Sequence, residues 1–172
     1  SKTEWLRLAL DVLIEQGPDH IKIVPLCERM GVTKGSFYHH FKNRTVFVEA
    51  LMSYWQETLT TAFIQQANTE ATPLERLEKL DQVIASHDIA AETHIRAWAL
   101  RESNLVPFIE AVDTQRQDYL AECYLGLGLP AEQAKDIAMM SYANFLGMQH
   151  IRPTPSVADM LRISAMNAKG HL

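Results

Sequence analysis

The glycines and prolines of this chain fall mostly where apolar stripes of three- and four-residue spacing stop or start. Such punctuation admits helices and excludes sheet. Trp5, Leu8, Ala9, Val12 and Leu13 form one stripe, which stops at Gly17-Pro18. A short helix from about Val24 to Met30 turns Leu26, Cys27 and Met30 inward and ends at Gly31. Pro25 is tolerated there because it falls in the first turn. Thr33 suits the N-cap of a third helix, over by about His40. Asn43 or Thr45 opens a long helix through about Ala67, with Phe47, Leu51, Trp55, Leu59, Ala62 and Phe63 on its apolar side. Thr72-Pro73-Leu74-Glu75 combines a capping box with proline at N1. Helices at about 73–86, 90–102 and 105–125 follow, with breaks near Asp88 and Asn104–Pro107. The Gly126–Pro130 run starts another helix, reaching about Ile151, and Ser156 with Asp159 caps a last one after Pro153-Thr154-Pro155. No strand-length segment alternates with period 2. The expected fold is all-α with about nine helices: a three-helix helix-turn-helix domain over 1–46, then a six-helix domain over 47–172.

Composition supports a packed protein. With 47% hydrophobic and 22% charged residues, the 172-residue chain can bury a substantial core, and disorder is excluded. No apolar run approaches the roughly 18 residues of a membrane span, and no signal-peptide pattern is visible. Cys27 and Cys123 have neither metal nor redox spacing, and Cys27 reads as a small core residue. A reduced, cytoplasmic protein without cofactor or membrane partner is expected. The start at Ser1-Lys2 without Met points to a trimmed N-terminus.

One segment carries most of the chemistry. Gly31-Val32-Thr33-Lys34-Gly35-Ser36-Phe37-Tyr38-His39-His40-Phe41, with Lys42-Asn43-Arg44 behind it, interleaves aromatic with small and basic residues. A buried helix would not crowd Lys34, Ser36, His39, His40 and Lys42 together, and a solvated one would not carry Phe37, Tyr38 and Phe41. The mixture fits an element anchored by aromatics whose polar edge meets phosphates and base edges of duplex DNA. Gly35 leaves room for a phosphate to approach the backbone, and the helix N-terminus around Thr33 offers N–H groups to an anion. Lys34 and Ser36 can reach bases or phosphates, and Tyr38 a phosphate or a thymine methyl. His39 and His40 can donate, while Lys42 and Arg44 suit a second phosphate contact. Phe37 and Phe41 hold the short helix on its neighbours. Residues 1–46 carry seven Lys/Arg against five acids, and the other 126 residues nine against sixteen, so a mildly basic head (+2) joins an acidic body (−7). Phosphate binding follows local charge, so the chain's overall −5 does not argue against it.

The run from Gly17 to Phe47 resembles the DNA-binding domain of TetR-type transcriptional regulators. Leu26-Cys27-Glu28-Arg29-Met30-Gly31-Val32-Thr33-Lys34-Gly35-Ser36-Phe37-Tyr38-His39-His40-Phe41-Lys42-Asn43-Arg44 follows that family's order of turn, glycine, aromatic pair and basic exit. Two departures stand out. Lys22 occupies the place of a capping Thr or Ser, so it would meet phosphate as a point charge. Val24 stands where some relatives read bases with a polar residue.

The resemblance implies that residues 47–172 form a ligand-binding and dimerisation domain, with helices at about 130–151 and 156–169 pairing between two copies. Ala134, Ala138, Tyr142, Phe145 and Met148, then Met160, Leu161, Ile163, Ser164 and Met166, give these helices apolar surfaces that would serve equally as intramolecular core. It further implies a regulator, usually a repressor, that holds a palindromic operator as a homodimer and releases it when a small inducer tilts the long helix. Trp55, Phe63, Trp98, Phe108, Tyr119, Met139, Met140 and Tyr142 are candidates to line an apolar ligand site, with His87, His94 and Arg96 as polar candidates. His87 and His94, seven residues apart, make a poor metal pair. Nothing resembles a nucleophile elbow, a phosphate loop or paired catalytic carboxylates, so no enzyme is expected. The alternative is a DNA-binding regulator whose C-terminal domain only dimerises or binds a protein.

Overall fold

The computed structural model describes residues 1–170, and these are helical with no strand. The final two residues of the expected second domain lie outside the described residues. The helices are α1 (Lys2–Gln16), α2 (Ile23–Met30), α3 (Lys34–His40), α4 (Arg44–Gln56), α5 (Ala62–Ala67), α6 (Pro73–Ala85), α7 (Ala91–Ala99), α8 (Val106–Gly126), α9 (Ala131–Met148), α10 (Val157–Ser164) and α11 (Met166–Lys169). A π-helical turn, Glu57–Thr61, joins α4 to α5 without a break. Counting α4–α5 and α10–α11 each as one run, the described residues form the nine expected helical segments.

Most boundaries have a local cause. Gly17 ends α1 at φ 79° and Gly31 ends α2 in the left-handed region at φ 65°, both conformations that favour glycine. Of the two expected starts of α4, the structure takes Asn43, whose Oδ1 accepts from Val46 N at 2.9 Å. The Thr72–Glu75 capping box and the Ser156 cap of α10 form as expected. Thr33 occupies the N-cap position of α3, but its side chain makes no capping bond. The π turn was not expected. There Thr58 Oγ1 donates to Tyr54 O at 2.7 Å, a side-chain competitor for the helical carbonyl ladder.

The chain divides into two compact units, Ser1–Leu59 with Ile89–Ile109, and Thr60–Asp88 with Glu110–Leu172. In the first, one aromatic cluster organises the core. Phe37 of α3 meets Trp5 of α1 at 5.5 Å, Phe41 at 5.4 Å and Phe47 of α4 at 5.2 Å between ring centroids. The Trp5 and Phe47 contacts are edge-on, an arrangement that contributes beyond area burial. α7 packs on α1 and on the short Pro18–His20 turn of the same unit.

In the second unit α5 packs along α6, and α10 and α11 along α9. Tyr124, Leu129, Ala134, Ile137 and Ala138 form one buried cluster, and Ala67, Tyr119 and Cys123 another. Tyr142 donates to Asp113 Oδ1 at 2.5 Å, while Arg116 Nε donates to Thr60 Oγ1 at 2.9 Å, so the buried face at the π turn is polar. Ala134, Ala138, Tyr142, Phe145, Met148 and Met160 are buried within the chain itself, as core rather than as free pairing surface. Among the described residues, the exposed large apolar side chains of these helices are Met139, Met140, Ile163 and Met166 instead. Periodicity finds apolar faces of a helix but does not say which neighbour covers each.

Gly17 is constrained both by its backbone conformation and by its neighbour. A Cβ there would stand 3.3 Å from His94 Nδ1 at a φ that side chains rarely adopt. Gly17→Ala should therefore cost about 1–3 kcal/mol in urea denaturation, combining left-handed strain with displacement of the imidazole. An unchanged midpoint would show that the turn relaxes freely.

Candidate nucleic-acid interface

α3 is only seven residues long and could not persist alone. It persists because Phe37 and Phe41, at 0% and 1% exposure, anchor one of its faces. The opposite edge is then left outside. Lys34, Gly35, Tyr38, His39 and Lys42 are exposed, and Ser36 and His40 are half-buried. Tyr38 is 54% exposed, and its ring meets Phe37 edge-on at 5.4 Å. Lys22, also exposed, stands at the N-cap of α2 without a side-chain capping bond. The structure thus brings Lys34, Ser36, Tyr38, His39, His40 and Lys42 onto one short element and its exit. Val24, the other departure noted in the sequence, is an exposed apolar side chain on α2.

Gly35 is not demanded by the chain's own packing. A Cβ there would meet only Thr33 Oγ1, at an ordinary 3.5 Å. The backbone at Gly35 is thus open to the outside in the first turn of an exposed helix.

The two histidines are neighbours, their rings 5.0 Å apart at 73°. Partial desolvation holds the His40 pKa below its ordinary 6.5, helped by the positive charges of His39, the N-terminus and Lys2. His40 is therefore a neutral imidazole at neutral pH, able to donate one N–H.

Arg44, expected as a phosphate contact, has partners within the first unit. Its Nε donates to Ile21 O at 3.3 Å, and its Nη2 lies 3.5 Å from Glu102 Oε1. Its guanidinium also stands 5.7 Å from the Trp98 ring centroid. Next to Glu102, Arg101 reaches Asp19 at 3.3 Å. Sequence reasoning missed Asp19, Arg101 and Glu102, because separations of 58 and 82 residues leave no local signal.

The candidate ligand-lining residues divide between the units. Trp55 and Trp98 are buried in the first, with His94 and Phe108 half-buried. Phe63, Tyr119 and Tyr142 are buried in the second, where Met139 is 60% exposed. Several have partners of their own. Trp98 carries Arg44, His94 lies against Gly17, Phe63 meets the His87 ring at 4.6 Å and a tilt of 51°, and Tyr119 donates to Asn68 Oδ1 at 3.0 Å. Burial pushes the Tyr119 hydroxyl pKa up, so it stays a neutral donor. Of the polar candidates, Arg96 Nη2 pairs with buried Glu92 one turn away on α7 at 2.8 Å.

Comparison with known proteins bears on this geometry. Residues 6–51 match the family model described as bacterial regulatory proteins, tetR family. The transcriptional repressor KstR2 of Mycolicibacterium smegmatis is 27% identical over 122 residues, which cover 68% of this chain and 58% of that protein. KstR2 of Mycobacterium tuberculosis is 30% identical over 77 residues, 45% of this chain and 38% of the relative. The match to these curated relatives thus spans well under two thirds of their length. A solved TetR-family transcriptional regulator from Rhodococcus sp. superposes with a TM-score of 0.78 at 16% identity, covering 98% of this chain and 97% of that one. The structure of the ketosteroid transcriptional regulator KstR2 of M. tuberculosis gives 0.63 at 18% identity, with 99% and 93% covered. At these identities the superpositions speak for the fold.

The depressed His40 pKa has a sign that can be checked. The unfolded chain, titrating near about 6.5, takes up a proton that the folded chain resists. Stability should fall as pH drops through that value and level off below the folded pKa. Urea midpoints compared across this range should show the fall reduced in His40→Gln. Equal falls in both proteins would remove His40 as the cause.

Proposed function

Because the chain belongs to the tetR family of bacterial regulatory proteins, we propose that it is a DNA-binding transcriptional repressor. Its reading element is α3, and its DNA-binding domain comprises residues 1–46. The observation that carries this is the two-sidedness of α3, with Phe37 and Phe41 fully buried beneath an edge of Lys34, Ser36, Tyr38 and His39. That edge is short enough to enter a major groove, where Lys34 and Ser36 meet base edges and Tyr38 a phosphate or a thymine methyl. Lys22, Thr33 and Gly35 place backbone or charge at phosphates near the starts of α2 and α3. Lys42, with neutral His40, contacts the backbone at the exit of α3.

A homodimer follows from energetics. A head of net charge +2 supplies little affinity alone, whereas two heads on a palindrome about 34 Å apart combine their contacts. The exposed Met139, Met140, Ile163 and Met166 on the last helices are the apolar side chains available for pairing. In this reading residues 47–172 bind a small, largely apolar inducer, with Trp55, Phe63, His94, Trp98, Phe108, Tyr119, Met139 and Tyr142 as the candidates to contact it. Thermal-shift screening decides between this and a domain that only dimerises, since a bound ligand raises the melting temperature. Apolar compounds that leave it unchanged favour the second.

Selection from a random duplex pool with the full chain is the direct test. A palindromic site is expected. Tyr38→Ala and Lys34→Ala should abolish specific binding while leaving the unfolding free energy from urea titration within about 0.5 kcal/mol of wild type. Lys42→Gln, which removes one contact from each head of the dimer, should lower the salt slope of binding by about two. Recovery of no preferred sequence, or loss of folding in Tyr38→Ala, would overturn the assignment of α3 as reader.

A further inference from the structure

We infer that Arg44 is an internal strut of the reading head rather than a phosphate contact, and that Glu102 positions it. This rests on the DNA-binding reading above. Arg44 is the first residue of α4, immediately behind the exit of α3. A phosphate contact would need its donor fork free, and although the side chain is 41% exposed, two of its donors are committed within the unit. Nε is used on the carbonyl of Ile21 at 3.3 Å, and Nη2 faces Glu102 at 3.5 Å. The ring of Trp98 lies 5.7 Å from the guanidinium carbon. With a carboxylate at that distance, Arg44 adds little net positive potential for DNA.

The place of these contacts decides what they do. Ile21 precedes Lys22, the N-cap of α2, so Arg44 ties the start of α2 to the start of α4. α2 and α3 both lie between those two starts. Fixing the two ends of the α2–α3 hairpin limits how α3 presents its polar edge. Glu102 and Trp98 supply the far side of the tie from the segment after α7 and from α7 itself. Arg101 repeats the pattern with opposite sign by reaching Asp19 in the turn before α2. That second pair is exposed on both sides and contributes little by itself. Arginine suits the strut because its planar fork serves two acceptors at once and stacks on an indole, which lysine cannot reproduce.

The experiment compares Arg44→Lys, Arg44→Gln, Glu102→Gln and the Arg44→Gln/Glu102→Gln double variant, with Lys42→Gln as reference. The probe is the duplex selected by the wild-type chain, titrated across a salt series. Each single change should weaken binding by about fivefold, the scale of a partly exposed ion pair. The double variant should bind no more weakly than either single one, and all should keep the wild-type salt slope. Lys42→Gln should lower that slope by about two, one contact from each head. A slope lowered in Arg44→Gln, with Arg44→Lys binding normally and Glu102→Gln unimpaired, would make Arg44 a phosphate contact and overturn the strut. If no duplex is selected, the DNA-binding reading fails, and urea denaturation of the same variants judges the strut by itself. Coupling between positions 44 and 102 supports it, and additive effects overturn it.

Discussion

The first unit depends on the packing of Phe37 against Trp5, Phe41 and Phe47. A seven-residue helix has almost no stability of its own, and α3 exists because these rings hold one of its faces. Anchoring one face leaves the opposite edge no role in the core. Lys34, Ser36, Tyr38 and His39 can therefore be polar without penalty, and their identities are available for recognition. The steric demand for buried aromatics and the chemical demand for an exposed polar edge are met by alternate positions of one short segment.

The reading head and the packing unit are different divisions of the same chain. Residues 1–46 hold the proposed DNA contacts, but Ile89–Ile109 packs with Ser1–Leu59. His94 fills the space above Gly17, and Glu102 and Arg101 meet Arg44 and Asp19. These contacts are individually modest, being partly exposed, yet they converge on the turn before α2 and the start of α4. Position matters here more than magnitude, because α2 and α3 hang between those two points.

The second unit is less uniform than its composition implies. Ala134, Ile137 and Ala138 of α9 pack into one buried cluster with Tyr124 of α8, while Arg116, Thr60, Asp113 and Tyr142 form polar contacts at the π turn. Burying such groups costs little once they are hydrogen-bonded to one another. The π turn places Thr60 where its hydroxyl accepts from Arg116, in a stretch whose residues otherwise suit a regular helix.

Much of the fold was legible in the residues. Gly17, Gly31, Thr72-Pro73 and Ser156 fix helix ends by local stereochemistry, and local stereochemistry travels with the sequence. The aromatic register of Phe37, Tyr38 and Phe41 likewise distinguished anchor from edge. The π turn was not legible, since it depends on threonine hydroxyls choosing between carbonyls that only the folded helix supplies. Nor could periodicity tell that Ala138 and Met148 face the chain's own core while Met139 faces outward. By itself the sequence determined an all-helical chain and the residue types of its reading edge, because both are written within a few positions. Only the tertiary structure decided that Arg44 partners Ile21, Glu102 and Trp98, because the acceptors that compete for its guanidinium come from distant segments that meet it only on folding.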